Sequence, residues 1–437
     1  MVSQNIFTKS RLYQYVLNTS WMLLERVLRI FAGVFVGIYV ARYLGPEQYG
    51  ILSYILAIVS FATAFVVLGM NSILVRELVA RPDHKKEILG TSFWMMMSVA
   101  IICFGLFSIY LVWFSNELEN IKFYTVIVML GILLIPFWVF DYLFQAEVKA
   151  KYSTICKSVA LLIVSVARIY FVLAEEELIW FVIFAVVENA ILAVLLFVVF
   201  LSKKGNLSFL FAFSRVEAKD MIKSAWPRTL SAVAVLVYMR IDQVMIRNMM
   251  SLHDVGIYSV AIKLYEAWIF IPYIVTMSLL PAITKLKNED PERFKLRMMH
   301  LYRFIVVIGV IAASGSWFLS EWFIILAFGE VFKDAAMPMN IVMLAAIFVS
   351  IGSVTTRYFS VEKMENKIVT RTVLAAIINI ILNILLIPEY GITGAAIATL
   401  VCTFVSNYLI DWFDRDLKGL QSIKNQAMFG RLLTGVK

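Results

Sequence analysis

The feature that most constrains this sequence is a series of unbroken apolar runs, many of them close to twenty residues long. A helix of that length crosses the hydrocarbon core of a bilayer, which is about 30 Å thick. Transmembrane β-barrels instead alternate apolar and polar residues over segments of about ten, so the runs exclude them. Only 16% of the residues are charged, against about 25% in soluble proteins. We therefore predict an all-α integral membrane protein.

The apolar runs predict about twelve transmembrane helices. The predicted spans are 14–40, 49–69, 91–114, 123–144, 158–173, 178–201, 224–246, 256–283, 304–318, 337–358, 372–387 and 392–411. A short amphipathic stretch at 320–332 follows the ninth run. It is either an interfacial helix or a continuation of the ninth span.

Basic residues concentrate in alternate loops of this predicted arrangement. The loops on the side of the N-terminus hold 28 of the 39 Lys and Arg residues, whereas the opposite loops hold four. Because cytoplasmic loops carry the excess of Lys and Arg, both termini are predicted to be cytoplasmic. Anionic lipid head groups can neutralise these loops, so the net charge of +9 requires no nucleic-acid partner.

The two halves of the chain share a faint repeat. Arg42 recurs as Arg247, and the segment that ends at Gly50 matches the segment that ends at Gly256, with one inserted residue. Six predicted spans per half, an even number, would give both halves the same orientation, as in transporters with parallel repeats. We expect the substrate to lie between the two halves. The predicted domains are an N-terminal lobe at 1–201, a cytoplasmic linker at 202–223 and a C-terminal lobe at 224–437.

Several ionisable residues fall inside the predicted spans, where each costs about 2.5–3.5 kcal/mol on insertion scales. Such residues must face protein or water, which makes them functional candidates. The candidate substrate-binding residues are the basic ones on the first, seventh and eighth spans: Arg26, Arg29, Arg228, Arg240 and Lys263. The candidates for charge pairing, or for coupling to a cation or proton, are acidic: Glu25, Glu188, Asp242 and Glu266. Arg228 and Arg168 lie nearer span ends, from which a long side chain can reach the interface.

The spacing of these charges predicts two ion pairs. Glu25 and Arg29 are four residues apart, and Lys263 and Glu266 are three apart, so each pair can share one helical face. A single acid cannot neutralise both Arg29 and its neighbour Arg26, so we expect a net positive charge on the first helix. Arginine suits phosphate because its planar fork donates two parallel hydrogen bonds. The expected cargo of such a cationic cavity is an anionic head group, such as a pyrophosphate.

We expect neither a metal nor a cofactor. The three histidines are widely separated, and each of the three cysteines falls in or at the edge of an apolar run, so no ligand cluster can be drawn from them. The predicted outer loops are short and acidic, whereas membrane-embedded glycan polymerases and ligases need a sizeable outer loop with catalytic groups. A transporter is therefore expected, and not an enzyme.

Four stretches, in order along the chain, resemble the O-antigen and polysaccharide flippase family of the multidrug/oligosaccharidyl-lipid/polysaccharide exporter superfamily. They are Ala41–Gly50, Leu68–Leu78, Tyr142–Tyr152 and Asn379–Thr399. The resemblance implies two lobes of six helices that work by alternating access. It implies transport of a polyprenyl-pyrophosphate-linked oligosaccharide across the bacterial inner membrane, from the cytoplasmic to the periplasmic leaflet. It also implies partnership with membrane lipids and with polysaccharide polymerase or ligase machinery.

The resemblance extends to the candidate site only by helix. Charged cavity residues on the first, seventh and eighth helices of family members correspond in this way to Arg26, Arg29, Arg240 and Lys263. Two alternatives share the expected fold: a flippase for lipid II-type peptidoglycan precursors, and a cation-coupled multidrug antiporter. An antiporter for cationic drugs would need an acidic cavity, whereas the cavity expected here is basic. An archaeal or Gram-positive host is also compatible with the sequence.

Overall fold

A computed structural model describes the backbone of residues 2–204, 206–362 and 364–430. Side chains are described for the same residues except 2–16, 204, 227, 228, 280–282, 288, 365 and 429. Within these ranges the chain is helical apart from short connections, and no strand occurs there. Ten of the described helical stretches are long and apolar enough, by length and composition, to cross a membrane. The predicted class, an all-α integral membrane protein, is confirmed.

Thirteen α-helices follow one another in the described part of the chain. They are α1 (Val2–Val67), α2 (Met70–Ala80), α3 (Lys85–Trp113), α4 (Glu119–Leu130), α5 (Val139–Ala146), α6 (Ala150–Leu173), α7 (Leu178–Lys204), α8 (Arg215–Met249), α9 (Leu252–Glu289), α10 (Pro291–Phe328), α11 (Ala336–Glu362), α12 (Glu365–Asn407) and α13 (Lys418–Phe429). Short 3₁₀ segments lie at Pro82–His84, Gly131–Trp138, Leu207–Phe211, Glu330–Ala335, Leu409–Trp412 and Arg415–Leu417.

Two of these helices are each bent at a glycine into two arms. Helix α1 bends at Gly45, where φ is +70°, and Pro46 follows. Helix α12 bends at Gly391, where φ is +59°. Glycine adopts a positive φ without steric penalty, and proline suits the first turn of the next arm. Each arm corresponds to one predicted span, so the ten stretches are consistent with twelve spans.

The ninth predicted span is longer in the structure than its apolar core. Helix α10 continues without interruption to Phe328 and ends where Gly329 adopts a φ of +99°. Of the two possibilities left open by the sequence, the amphipathic stretch at 320–332 is therefore mainly a continuation of the ninth helix, and only its last residues form the following 3₁₀ segment.

The contacts divide the chain into two compact units. Unit 1 comprises Met1–Tyr43 and Ile55–Leu236, and unit 2 comprises Leu44–Tyr54 and Val237–Lys437. The lobe and linker bounds drawn from the sequence remain a prediction.

Unit 1 has an aromatic core made by α3, α5, α7 and the 3₁₀ segment that follows α7. The rings of Phe140 and Phe200 are stacked, with centroids 4.4 Å apart. Phe209 meets Phe140 edge-on at 5.6 Å and Phe93 at 6.0 Å. Edge-to-face and stacked pairs at such distances add to the stabilisation from buried apolar area. The start of the predicted linker is thereby packed onto the helices of unit 1.

In unit 2 the second arm of α1 crosses the start of α9 at two glycines. A methyl group on Gly50 would overlap the carbonyl oxygen of Leu252, and one on Gly256 would overlap the carbonyl oxygen of Pro46. Only glycine lets two helix backbones approach so closely. The two contacts are reciprocal, because the sequence repeat aligns Gly50 with Gly256 and Pro46 with Leu252. The faint repeat in the sequence is therefore a symmetric contact in the structure.

Candidate functional site

Four charged side chains of unit 1 form one cluster. Arg29 on α1 donates to Glu25 over 2.8 Å and to Glu188 on α7 over 3.1 Å. The guanidinium of Arg168 on α6 lies 3.7 Å from the other oxygen of Glu188. The Glu25–Arg29 pair predicted from the spacing is formed, and the cluster as a whole carries two acids and two arginines. Mutual pairing is how charged groups are accommodated inside a membrane.

This cluster shows which carboxylates balance Arg29 and Arg168. The positive charge of Arg29 is balanced by two carboxylates, so Arg29 adds no surplus charge. Arg168 was expected to reach the interface, and that expectation is wrong because its guanidinium turns toward Glu188. Arg26 lies on the same helix as Arg29, and its side chain is exposed.

In unit 2, Glu266 pairs with Arg240 and not with Lys263. The guanidinium of Arg240 on α8 lies 2.9 Å from one carboxylate oxygen of Glu266 on α9 and donates to the other over 3.2 Å. The prediction that Lys263 and Glu266 pair along α9 is therefore wrong. An arginine fork can engage both oxygens of a carboxylate, which favours this partner over a lysine.

Lys263 instead contacts an aromatic side chain. Its amino group lies 3.5 Å from the hydroxyl of Tyr49 and 5.8 Å from the centre of the same ring. Tyr49 directly precedes Gly50, so the glycine crossing places this ring beside α9. In the part of the chain whose side chains are described, Lys263 makes no ion pair with a carboxylate. The side chain of Arg228 lies outside the described residues.

Asp242 on α8 is a buried carboxylate, 3% exposed, surrounded by neutral donors. It accepts hydrogen bonds from the amide of Asn383 over 2.6 Å and from the hydroxyls of Tyr258 and Thr399 over 2.7 and 2.9 Å. No lysine or arginine among the described residues pairs with it. The side-chain oxygen of Asn383 is buried and has no hydrogen-bond partner in the described structure.

The polar cluster around Asp242 can accept a small positive species. A carboxylate and an unpartnered amide oxygen are hard oxygen ligands, and the carboxylate alone can also take a proton. The sequence identified Asp242 but missed its partners on α12. The spacing of Asn379 and Asn383 could have indicated them, because residues four apart share one face of a helix. In the structure Asn383 donates a hydrogen bond to Asn379 over 3.2 Å.

One further group of possible metal ligands consists of His84, Glu87 and Glu217 in unit 1. The carboxylate of Glu217 receives two hydrogen bonds from Arg81, over 2.7 and 2.8 Å. These bonds raise the pKa of the Arg81 guanidinium and keep it charged. We interpret this group as an ion-pair cluster between α2 and the start of α8.

Comparison with known proteins places these features in a family context. Residues 16–287 match the model of the family described as "Polysaccharide biosynthesis protein". The chain is 23% identical over 400 residues to "Probable flippase AglR" of Haloferax volcanii, an alignment that covers 88% of this chain and 80% of that protein. It is 22% identical over 413 residues to "Capsular polysaccharide biosynthesis protein CapF" of Staphylococcus aureus, covering 90% and 97%.

The helical arrangement also resembles solved structures. The structure of "Lipid II flippase MurJ, inward closed conformation" matches with a TM-score of 0.73 and 15% sequence identity, over 94% of this chain and 90% of that one. At this sequence identity the comparison establishes a shared fold, and a shared fold does not identify the transported substrate.

The Arg240–Glu266 pair generates a prediction about stability. Arg240→Glu places two carboxylates side by side inside a span, and an uncompensated charge there costs about 3 kcal/mol. We expect this variant to lose most of its folded protein, and the double variant Arg240→Glu/Glu266→Arg to recover it. Fluorescence-detected size exclusion and thermal stability in detergent measure both effects.

The matched control is Lys295→Glu, which breaks the exposed Lys295–Glu292 pair on α10. Exposed pairs contribute about 0–1 kcal/mol, so this variant should resemble the wild type. A double variant no more stable than Arg240→Glu alone would contradict the pairing described above.

Proposed function

This chain belongs to the polysaccharide biosynthesis protein family, and from that premise we propose that it is a flippase for surface polysaccharide assembly. Its cargo would be a polyprenyl-pyrophosphate-linked oligosaccharide repeat unit, moved from the cytoplasmic to the periplasmic leaflet by alternating access. The names of the two relatives, a probable flippase and a capsular polysaccharide biosynthesis protein, support this proposal.

The proposed location is the bacterial inner membrane, which the chain crosses many times. There it would act between the enzymes that build the lipid-linked unit and the polymerase or ligase machinery that consumes it. Translocation makes and breaks no covalent bond in the cargo, so we propose a transporter without catalytic residues.

The proposed substrate class, a lipid with an anionic head group, rests on the surroundings of the Lys263 side chain. Inside a span, an ammonium group beside a tyrosine lacks the carboxylate that balances Arg29 or Arg240. A cation over an aromatic face gains about 0.5–2 kcal/mol, which offsets only part of the cost of placing it there. An anionic head group that entered from lipid or water would complete its neutralisation. A pyrophosphate is such a group, and the polyprenyl tail can remain in the bilayer.

The remaining basic candidates have different roles in this proposal. Arg26 is exposed on α1, three residues before Arg29. Arg29 and Arg240 can reach phosphate only by sharing with, or leaving, their carboxylates. We therefore assign primary head-group binding in unit 2 to Lys263, with Arg240 as a secondary ligand. In unit 1 the same role falls to Arg26 and Arg29.

For the coupling of transport to an ion gradient, we propose Asp242. Glu25, Glu188 and Glu266 each form an ion pair with an arginine. Among the described residues Asp242 has only neutral donors, and the unpartnered oxygen of Asn383 lies nearby. A proton or a small cation that binds there would remove an uncompensated buried charge. That charge change is large enough to bias a helix pair between two arrangements.

The experiment for the substrate class is a substitution of Lys263 in a strain that depends on this protein. Lys263→Met removes the charge and keeps much of the side-chain length, so we expect surface polysaccharide to fall at least about tenfold. Lys263→Arg keeps a cation that binds phosphate and should retain most of the polymer. Lys86→Met, on an exposed residue near the start of α3, is the matched control. Normal polymer in Lys263→Met, at normal protein level, would overturn the assignment.

The experiment for coupling is Asp242→Asn, which removes the charge with almost no change in volume. We expect the wild type to transport at a rate that depends on the pH or sodium gradient, and the variant to lose that dependence. Transport is followed in vesicles with imposed gradients, and Asp220→Asn on the exposed face of α8 serves as the control. An unchanged gradient dependence in Asp242→Asn would rule out coupling through this residue.

Both alternatives raised by the sequence share the fold. A lipid II-type cargo also carries a pyrophosphate and would use Lys263 in the same way, but its loss would arrest wall growth and leave other surface polymers intact. A multidrug antiporter for cationic drugs is disfavoured, because Glu25, Glu188 and Glu266 each pair with an arginine in the described structure. Asp242 has no such partner among the described residues, but it is buried.

A further inference from the structure

Unit 2 contains a cavity with a volume of about 650 Å³, lined in part by the turns of α9 that precede Lys263. It lies at the N-terminal end of α9, the C-terminal part of α10, the start of α11 and the bend of α12. The loops at these positions contain few Lys and Arg residues. The distribution of charge in the sequence therefore predicts that they lie on the outer, non-cytoplasmic side of the membrane. Its size falls within the range of about 300–1,000 Å³ that is typical of small-ligand sites. We call it the outer pocket.

The floor of the outer pocket is made by two buried polar side chains. Ser320 on α10 is 3% exposed and Asn340 on α11 is 8% exposed, and both line the cavity. The side-chain oxygen of Asn340 accepts from Ser316 over 2.7 Å. The amide NH₂ of Asn340 and the hydroxyl of Ser320 have no hydrogen-bond partner among the described residues. Neither donor atom is fully enclosed, so both face the cavity, where a hydroxyl-rich ligand can replace water as their partner.

The rim of the outer pocket is aromatic. Trp317 on α10 and Tyr390 beside the α12 bend both line the cavity and are about half exposed, at 54% and 56%. A flat aromatic face above polar groups packs against the apolar C–H face of a sugar ring while the hydroxyls reach the floor. Aromatic residues are also common at membrane interfaces, but that preference does not explain why polar side chains lie beneath the two rings.

The charge of the outer pocket is opposite to that around Lys263. Three carboxylates line it, those of Asp254, Glu321 and Asp334, against the single lysine Lys333, which lies 3.1 Å from Glu321. The surplus of negative charge repels a phosphate or pyrophosphate. It accepts hydrogen bonds from hydroxyls and attracts an amino group. The ligand class that fits is therefore a neutral or amino-bearing oligosaccharide without phosphate.

We propose that the outer pocket binds the sugar portion of the cargo at the outer face, apart from its pyrophosphate. The identity of the sugar as cargo rests on the proposed function, whereas the pocket itself rests on its own side chains. Such a site would hold the oligosaccharide as the head group leaves Lys263. Opposite charges at the two places would then keep the sugar and the phosphate from exchanging positions.

The test is direct binding to the purified full-length protein in detergent. The probe is the phosphate-free oligosaccharide released by mild acid from the polyprenyl-linked pool of the host, with inorganic pyrophosphate as a second probe. We expect the oligosaccharide to bind and Trp317→Ala to weaken it at least about tenfold. Tyr390→Ala should weaken it in the same direction. Pyrophosphate binding should be insensitive to both substitutions.

Trp322→Ala is the matched control, because Trp322 lies on the same helix, is also exposed and does not line the pocket. Equal affinity in Trp317→Ala, Tyr390→Ala and Trp322→Ala, or no saccharide binding by the wild type, would overturn the outer pocket. Leaflet-to-leaflet transport is measured in parallel on the same preparations. Transport without saccharide binding refutes only the outer pocket. Pocket-dependent binding without transport supports the pocket and refutes the flippase proposal.

Discussion

The pairing of charges inside apolar helices is the constraint on which this structure depends. Each ionisable group in a span costs about 2.5–3.5 kcal/mol on insertion scales, so it persists only with a partner, with water or with a function. Glu188 meets two arginines, and Glu266 meets one. Among the residues whose side chains are described, Lys263 and Asp242 contact neutral polar groups and no oppositely charged one. We therefore regard the paired charges as structural and the charges without an oppositely charged partner as available to a ligand.

How far the sequence predicts this arrangement depends on the distance between partners along the chain. The Glu25–Arg29 pair follows from helical spacing, because residues four apart share a face. The contact between Arg29 and Glu188 joins positions 159 residues apart, and no local pattern encodes it. The choice of Glu266 between Arg240 and Lys263 depends on how α8 packs against α9, so spacing alone gave the wrong partner.

The same limit applies to the fold. Apolar runs and loop charges predict the membrane class and a topology with which the described helices are consistent, because length and charge placement act one helix at a time. The bends at Gly45 and Gly391 coincide with predicted loops. The repeat around Gly50 and Gly256 is faint in the sequence. The two halves share the close backbone approach at these glycines, but most of the neighbouring side chains differ between them. In the structure the two glycines meet reciprocally, and this contact sets Tyr49 beside Lys263.

The proposed function of this chain is to move a lipid-linked oligosaccharide across the membrane. The most direct measurement deletes the gene in its host and labels lipid-linked repeat units on each membrane face with a reagent that cannot cross the bilayer. We expect accumulation on the cytoplasmic face and loss of surface polymer, both reversed by the wild-type gene. Normal polymer, accompanied by altered resistance to drugs or cations, would contradict a flippase role and favour an antiporter.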